Sequence, residues 1–236
     1  MVWVRSDRGD RVKVLRALRR SSVRLPLTAV HSAYDQLAEI YPPHAHNALM
    51  RVEEAAMLRH MPPLKGKRVL DLACGTGRYG RLAQEDGAAQ VVGVDLSLSM
   101  LRSGVLSAAQ ARMDCLPFLA QTFEVVLCGL AIGHLPPSAM HTAYREIARI
   151  LVPGGIALIS DFHPYLALRG GQRRFTLSDG RQIAIAHFVY FLSDHFAAMR
   201  ESSMILEQMD EPLTELGGEH IPAVMILRCI REEKER

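Results

Sequence analysis

A glycine-rich loop with an aspartate just before it is the part of this sequence where residue types and spacing most clearly imply chemistry. The stretch VLDLACGTGRYG runs from Val69 to Gly80 and contains G-x-G-x-x-G, a pattern typical of loops that bind the pyrophosphate of a dinucleotide. Asp71, however, lies four residues before the first of these glycines, Gly75. A carboxylate beside the path of a pyrophosphate would repel it, so the aspartate favours a positively charged ligand.

Two further aspartates end strand-like segments farther along the chain, Asp95 in VVGVD and Asp114 in ARMD. Ligands of an open α/β sheet bind at the carboxyl ends of the parallel strands, so three such acids would face one cleft. S-adenosylmethionine suits this cleft, because it carries a sulfonium and an ammonium group and no phosphate. We expect Asp71 to meet its methionine end, Asp95 to accept the ribose hydroxyls and Asp114 to accept the adenine amine.

The elements that must position these acids alternate between short apolar segments and helical patterns, which predicts a mainly parallel sheet with helices on both faces. The predicted strands are RVLDL (68–72), VVGVD (91–95), ARMD (111–114), FEVVLCG (123–129) and GIALISD (155–161). Ser97 and Ser138 are expected to cap the helices that follow the second and fourth strands.

These segments resemble, in order and spacing, the successive motifs of class I S-adenosylmethionine-dependent methyltransferases. The similarity covers residues 68–161 and is to the small-molecule branch that includes quinone-biosynthesis and malonyl-carrier-protein methyltransferases. It implies an α/β fold, a doubly wound, mainly parallel seven-stranded sheet of the Rossmann-like methyltransferase type. The last strand, here PAVMILRCI, would run antiparallel. One departure is Ala73, which stands at the first glycine position of the family's G-x-G-x-G loop.

The resemblance and the strand-end positions together predict the site residues. Those expected to bind the cofactor are Tyr34, Asp71, Ala73, Gly75, Gly77, Asp95, Leu96, Met100, Asp114 and Cys115. For Met100, core packing is an equal alternative to contact with the adenine. Methyl transfer needs mainly alignment and exclusion of water, with a base where the acceptor must lose a proton. We expect His134 or His163 as that base, with a structural histidine as the alternative for each, and Asp161 orienting the ring of His163.

One catalytic domain is predicted over residues 27–236, with a helical flap at 27–61 and a hairpin insertion at 164–192. The hairpin is expected to turn at Ser178-Asp179-Gly180 and to form a lid over the acceptor. The apolar residues expected to line one wall of the acceptor pocket are Phe175, Leu177, Ile183, Ile185, Phe188 and Tyr190. Alternatively, these residues extend the core or contact a second copy, and the acceptor enters near Tyr34 and Tyr41.

Charge and composition limit the classes of partner that the sequence predicts. Residues 1–26 are predicted to be a basic extension outside the domain, because residues 1–24 hold eight of the 28 Lys and Arg and two of the 25 Asp and Glu. The rest of the chain is mildly acidic, and CGLAIGHLPP replaces the D/N-P-P-aromatic motif of amino-methylating DNA enzymes. We therefore expect a small-molecule acceptor and no nucleic acid, and leave a homodimer open.

Scattered cysteines and the lack of an 18-residue apolar run predict a cytoplasmic protein with no metal and no membrane span. The most favoured function is methyl transfer from S-adenosylmethionine to an oxygen, nitrogen or carbon atom of a small molecule. A cofactor-binding accessory protein without turnover is the alternative, and an NAD-dependent oxidoreductase is less favoured.

Overall fold

Seven α-helices and one 3-10 helix are formed by the residues that the computed structural model describes, 27–233 without 105, 171 and 217. They are α1 Val30–Leu37, α2 Ala48–His60, α3 Arg78–Glu85, α4 Leu98–Ser103, the 3-10 helix Ile132–His134, α5 Pro137–Ile150, α6 Pro164–Leu168 and α7 Leu192–Glu201. The predicted basic extension, 1–26, lies outside the described residues. Within them, no helix is both long and apolar enough to cross a membrane.

The predicted helix caps have different outcomes. Ser97 caps α4 as expected, since its Oγ accepts a hydrogen bond of 3.1 Å from the backbone N–H of Met100. The prediction that Ser138 caps α5 is wrong, because this helix already begins at Pro137. The fixed φ of proline and its missing N–H suit the first position of a helix, so the start moves one residue upstream.

Twelve strands are formed by the described residues. They are β1 Leu27–Thr28, β2 Arg68–Leu72, β3 Gln90–Asp95, β4 Ala108–Gln110, β5 Phe123–Gly129, β6 Leu151–Phe162, β7 Arg174–Thr176, β8 Gln182–Ile185, β9 Met204–Asp210, β10 Leu213–Leu216, β11 Glu219–Pro222 and β12 Val224–Arg231. Seven of them form the central sheet in the order β4-β3-β2-β5-β6-β12-β9. The predicted seven-stranded α/β sheet is thereby confirmed.

Strand directions in this sheet place the acids at one edge. The pairs from β4 through β6 are parallel, whereas β12 runs antiparallel to both β6 and β9. The predicted antiparallel last strand is thus confirmed. The prediction of a third strand at 111–114 is wrong, because β4 ends at Gln110. Asp95, the last residue of β3, pairs with Gln110, so no partner backbone remains for the residues beyond.

The flap (27–61) and the hairpin insertion (164–192) pack against each other. β7 and β8 are the antiparallel hairpin, as predicted, and β1 joins β8 in parallel. Below this small sheet, Ala33 and Leu37 of α1 pack with Leu177 and Ile185 of the hairpin in a buried cluster. Two segments far apart in sequence therefore fold against each other.

Candidate functional site

The loop between β2 and α3 turns sharply because several of its residues adopt left-handed backbone conformations. Ala73, Gly75 and Gly77 have φ angles of 57°, 54° and 93°. Glycine tolerates this region, whereas for alanine it costs roughly 1–2 kcal/mol, since Cβ approaches the following carbonyl oxygen. A hydrogen bond of 2.9 Å from the Cys74 N–H to the Val94 carbonyl ties the loop to β3.

Asp71 lies beneath this loop, near the end of β2. Its side chain is buried, and Oδ2 accepts a hydrogen bond of 2.7 Å from the backbone N–H of Gly80. Burial raises the pKa of Asp71 to about 7, although the Gly80 N–H and the Arg78 guanidinium act in the opposite direction. A cationic ligand would therefore stabilise the ionised form of this carboxyl.

Asp95 holds the loop from the neighbouring strand. Its Oδ2 accepts from the Gly75 N–H and its Oδ1 from the Ser97 N–H, each at 2.8 Å. Burial raises the pKa of Asp95, and these backbone N–H groups oppose the shift. A carboxylate has about four lone-pair positions, so both oxygens retain capacity for hydroxyl donors.

Asp114 lies in the turn after β4 and not at a strand end as predicted. Nε and Nη2 of Arg112 donate to its two oxygens at 2.8 and 2.6 Å. These hydrogen bonds lower the pKa of Asp114, so this carboxylate is ionised at neutral pH. The paired carboxylate remains at the edge of the same cleft as the other two acids.

A cavity of about 260 Å³, here called the strand-end cavity, lies between these three acids. The predicted cofactor residues that line it are Tyr34, Asp71, Ala73, Gly75, Asp95, Leu96, Met100 and Asp114. Two predicted residues do not line it: Gly77 precedes α3, and Cys115 is exposed. Most of the predicted set is thus brought together around one cavity.

Tyr34 and Tyr41 cover the strand-end cavity from the flap. Their ring centroids are 6.2 Å apart in an edge-to-face arrangement, and both rings line the cavity. The Tyr34 hydroxyl lies 3.0 Å from Nε2 of His134. Burial raises the pKa of Tyr34, so the hydroxyl is neutral and can donate to this nitrogen.

His134, in the 3-10 helix after β5, has a defined tautomer. Its Nδ1 is 3.0 Å from the carbonyl oxygen of Ala186, which can only accept, so Nδ1 carries the proton. Nε2 then accepts from Tyr34 and from Nη1 of Arg173, at 2.5 Å. Burial, reinforced by Arg173, holds the pKa of His134 well below its usual value. The histidine is neutral, with both nitrogens engaged.

An ion pair neutralises the arginine nearest to Asp71. Nη1 of Arg78 is 2.7 Å from Oε2 of Glu53, and the guanidinium also covers the ring of Tyr79 at 4.3 Å. The other oxygen of Glu53 accepts from the Ser160 hydroxyl at 2.5 Å. Arg78 therefore lines the strand-end cavity with its charge already matched.

A second cavity of about 570 Å³ lies beneath the flap and the hairpin and is called the flap cavity. It shares Tyr41, Leu130 and Arg173 with the strand-end cavity, so these residues stand between the two. Its apolar lining includes Leu37, Ile40, Leu49, Met50, Phe162 and Phe175. Among the described residues, no Asp or Glu lines it.

Comparison with known families identifies the segment that carries this site. Residues 69–155 match the family described as "Methyltransferase domain", and they contain the loop and all three acids. This segment of the chain is therefore similar to a methyltransferase domain. The predicted resemblance to class I S-adenosylmethionine-dependent methyltransferases is confirmed at the level of the family, and with it S-adenosylmethionine as the family's cofactor.

Curated proteins similar to this chain include enzymes of two kinds. The malonyl-[acyl-carrier protein] O-methyltransferase of Enterobacter lignolyticus is 31% identical over 133 residues, which are 54% of this chain and 51% of the relative. The ubiquinone biosynthesis O-methyltransferase of Albidiferax ferrireducens is 33% identical over 141 residues, covering 55% and 53%. The chain thus spans about half the length of the curated relatives it matches.

Solved structures share the fold. An S-adenosylmethionine-dependent methyltransferase from Mesorhizobium loti superposes with a TM-score of 0.65 at 21% identity, covering 76% of this chain and 98% of that one. At this identity the likeness shows the fold alone. It is the fold on which the strand-end cavity of the methyltransferase domain depends.

His163 lies in the flap cavity and not beside the three acids. Its Nδ1 accepts from the Tyr165 N–H at 3.1 Å, which caps α6, and its Nε2 is 2.9 Å from Glu211. The expected contact between Asp161 and His163 is wrong, because Asp161 faces the buried His195 at 3.5 Å instead. β6 ends at Phe162 and His163 already caps the next helix, so the two side chains do not continue on one strand face.

Of the residues predicted to line the acceptor pocket, Phe175 lines the flap cavity. Leu177 and Ile185 pack against α1 instead, and Ile183 packs beside them. Phe188 and Tyr190 line neither cavity: the two rings stack on each other, with centroids 6.4 Å apart. For these residues the arrangement agrees with the alternative, packing, because the chain leaves the hairpin and turns toward α7.

Two residues of the site escaped the sequence patterns, Arg173 and His187. Arg173 lines both cavities, and His187 lines the flap cavity. Neither belongs to a motif or to a periodic element, since both flank the hairpin strands. The only available signal was their place in the inserted segment after the fifth strand.

Proposed function

We propose that this protein transfers the methyl group of S-adenosylmethionine to a small-molecule acceptor. The observation that carries the proposal is a pair of carboxyls on one cavity with raised pKa values, the buried Asp71 and the partly buried Asp95. A dinucleotide would bring further negative charge to these groups, whereas a sulfonium and an ammonium group would relieve their repulsion.

The cofactor-binding roles follow from the positions of the acids. In our proposal Asp95 accepts the ribose hydroxyls, Asp71 attracts the methionine end, and Asp114 accepts the adenine amine. Met100 and Leu96 pack against the adenine, and Tyr34 closes over the cofactor. When bound, the cofactor supplies a methyl group on a positively charged sulfur, ready for displacement by a nucleophile.

The flap cavity is the proposed acceptor site. It shares the lining residues Tyr41, Leu130 and Arg173 with the strand-end cavity, and the flap and hairpin cover it. Such an enclosure aligns the acceptor and excludes water, which is most of what methyl transfer requires. Its size suits a small molecule better than a nucleic acid, and the mildly acidic composition of residues 27–236 supports the same choice.

For acceptors that must lose a proton, we propose His187 as the base in place of His134 or His163. The two predicted histidines use both ring nitrogens in other contacts. His187 makes no hydrogen bond among the described residues, and its Nε2 is buried without a partner. Burial lowers the pKa of His187, so a lone pair is available at neutral pH.

The proposed organisation keeps the predicted boundaries. Residues 27–236 form the methyltransferase domain, residues 27–61 its flap and 164–192 its hairpin insertion, with 1–26 as a separate basic extension. We also propose a cytoplasmic location, since all four cysteines are unpaired.

Release of S-adenosylhomocysteine in the presence of an acceptor panel tests this function. The panel contains phenols, quinols and carboxylic acids, and Asp95→Ala serves as the control for contaminating activity. We expect an acceptor-dependent product signal from the wild-type protein and at least a tenfold smaller one from the variant. Cofactor binding without product formation for any acceptor would instead support the accessory protein without turnover.

A further inference from the structure

The charge of the flap cavity differs from that of the strand-end cavity. Three aspartates line the strand-end cavity, whereas the described lining of the flap cavity contains two arginines, Arg173 and Arg174, and no acid. It also contains His46, His163 and His187. Burial lowers the pKa of both His46 and His187, so these two histidines add little positive charge at neutral pH.

Arg173 stands at the junction of the two cavities, with its guanidinium held in place. Nη1 donates to the Leu130 carbonyl at 3.0 Å and to Nε2 of His134 at 2.5 Å. The central carbon lies 4.6 Å from the ring centroid of Phe162 and 5.8 Å from that of Phe175. Because the ring proton of His134 is on Nδ1 and is donated to the backbone, Nε2 can only accept from Arg173 and thereby orients it.

The positive charge of Arg173 is not matched by an acid in the part of the chain that the structure describes. Arg78 pairs with Glu53 and Arg112 with Asp114, but no carboxylate lies within 4.0 Å of Arg173. A guanidinium has five N–H donors, and the contacts made by Nη1 leave those on Nε and Nη2. A half-buried cation of this kind is stabilised by an anionic oxygen group, which a planar guanidinium binds with two hydrogen bonds.

We propose that the acceptor is a planar, apolar carboxylic acid whose carboxylate is bound by Arg173. This inference rests on the proposed function and specifies its substrate class. The aromatic rings of Phe162 and Phe175 beside the guanidinium suit a flat apolar body, and the aliphatic residues of the flap enclose it. Arg173 is thus the residue that determines acceptor specificity, and His134 positions it.

A rival role for Arg173 follows from its contact with the strand-end cavity. The methionine part of S-adenosylmethionine also ends in a carboxylate, and Arg173 lines that cavity as well. The two roles predict different consequences of losing the guanidinium. Loss of an acceptor contact leaves cofactor affinity intact, whereas loss of a cofactor contact weakens it.

Binding of matched probes distinguishes these roles. Benzoate, 2-naphthoate and indole-3-carboxylate are titrated into the protein saturated with S-adenosylhomocysteine, each beside its neutral carboxamide. The proteins compared are the wild type, Arg173→Gln and the control Arg169→Gln. Arg169 is an exposed neighbour that pairs with Glu219 and lines neither cavity. Affinity for S-adenosylhomocysteine is measured first for each protein.

We expect the wild type to bind at least one acid about 10-fold to 100-fold more tightly than its carboxamide, because a charged hydrogen-bonded pair is lost in the amide. Arg173→Gln should abolish this preference with cofactor affinity within threefold of wild type, and Arg169→Gln should keep it. Equal binding of acids and amides, no binding of any acid, or a parallel loss of cofactor affinity in Arg173→Gln would overturn the inference. A wild type that binds no S-adenosylhomocysteine would instead refute the proposed function.

Discussion

The carboxylate of Asp71 accepts a hydrogen bond of 2.7 Å from the backbone N–H of Gly80, which ties the end of β2 to the first turns of α3. The glycine-rich loop between them is thereby fixed at both ends. Residues of this loop line the strand-end cavity together with the same carboxylate.

Cofactor binding should release a proton from Asp71. Burial raises its pKa to about 7 in the free protein, and a cationic ligand favours the ionised form and lowers that pKa. Affinity for S-adenosylmethionine should therefore fall by up to about tenfold per pH unit as the pH drops from 7 toward 5.

Calorimetry in two buffers with different ionisation enthalpies measures this proton release directly. Asp71→Asn is the matched control, because its amide oxygen still accepts from Gly80 and does not titrate. An identical pH dependence in the variant would assign the released proton to another group.

Gly129 is expected to tolerate no larger residue. It ends β5 against the ring of Tyr79, and a methyl group at this position would overlap that ring and lie 3.3 Å from Oε1 of Glu53. Gly129→Ala should destabilise the fold by roughly 1–3 kcal/mol, which lowers the melting temperature by about 2–12 °C.

Thermal denaturation with a double-mutant cycle tests the cause of this destabilisation. Combined with Tyr79→Leu, the effect of Gly129→Ala should be clearly smaller than in the wild type, since the clashing ring is gone. Strict additivity would show that the overlap with Tyr79 is not responsible.

Phe175 and Phe188 provide a matched pair of variants for the proposed acceptor site. Both belong to the hairpin insertion, but only Phe175 lines the flap cavity, and Phe188 is 41% exposed. Phe175→Ala should lower kcat/KM for the acceptor by about 5-fold to 30-fold, equivalent to roughly 1–2 kcal/mol of lost apolar contact. Phe188→Ala should stay within twofold of wild type. Steady-state kinetics that give the reverse order would place the acceptor elsewhere.

Variants of His187 and His163 distinguish the proposed base from a structural histidine. For an acceptor that must be deprotonated, His187→Gln should lower kcat by about 100-fold to 10 000-fold. It should also remove the acidic limb of the pH–rate profile. His163→Gln should lower kcat by less than tenfold, because His163 caps α6 and pairs with Glu211. Equal losses in the two variants, with unchanged profiles, would exclude His187 as the base.

The cofactor half of the site was predictable because its residues follow the regular alternation of the fold. Asp71 lies near the end of β2 and Asp95 ends the adjacent parallel strand, so their convergence follows from chain order and from the rule that ligands bind at the carboxyl edge. Asp114 is an intermediate case. It lines the expected cleft, but the strand predicted to end at Asp114 already ends at Gln110, where pairing with β3 stops.

The arrangement of residues around the flap cavity was not predictable, for a physical reason. Arg173 and His134 are 39 residues apart, and their contact depends on how the insertion folds onto the flap. No periodic pattern encodes such a contact between a loop and a 3-10 helix. The same limit explains Phe188 and Tyr190, whose apolar character indicated burial but not the surface against which they pack.

Titration calorimetry with S-adenosylmethionine and with NAD tests the central claim most directly. The Asp95 carboxylate accepts hydrogen bonds from the backbone N–H groups of Gly75 and Ser97 and lines the strand-end cavity. The Asp35 carboxylate accepts a hydrogen bond from the Ser97 hydroxyl but does not line this cavity. We predict that the wild type binds S-adenosylmethionine and not NAD. Asp95→Ala should weaken this binding by about 30-fold to 1000-fold, or roughly 2–4 kcal/mol, and Asp35→Ala should change it by less than threefold. Wild-type affinity in Asp95→Ala, or tighter binding of NAD than of S-adenosylmethionine, would contradict the account.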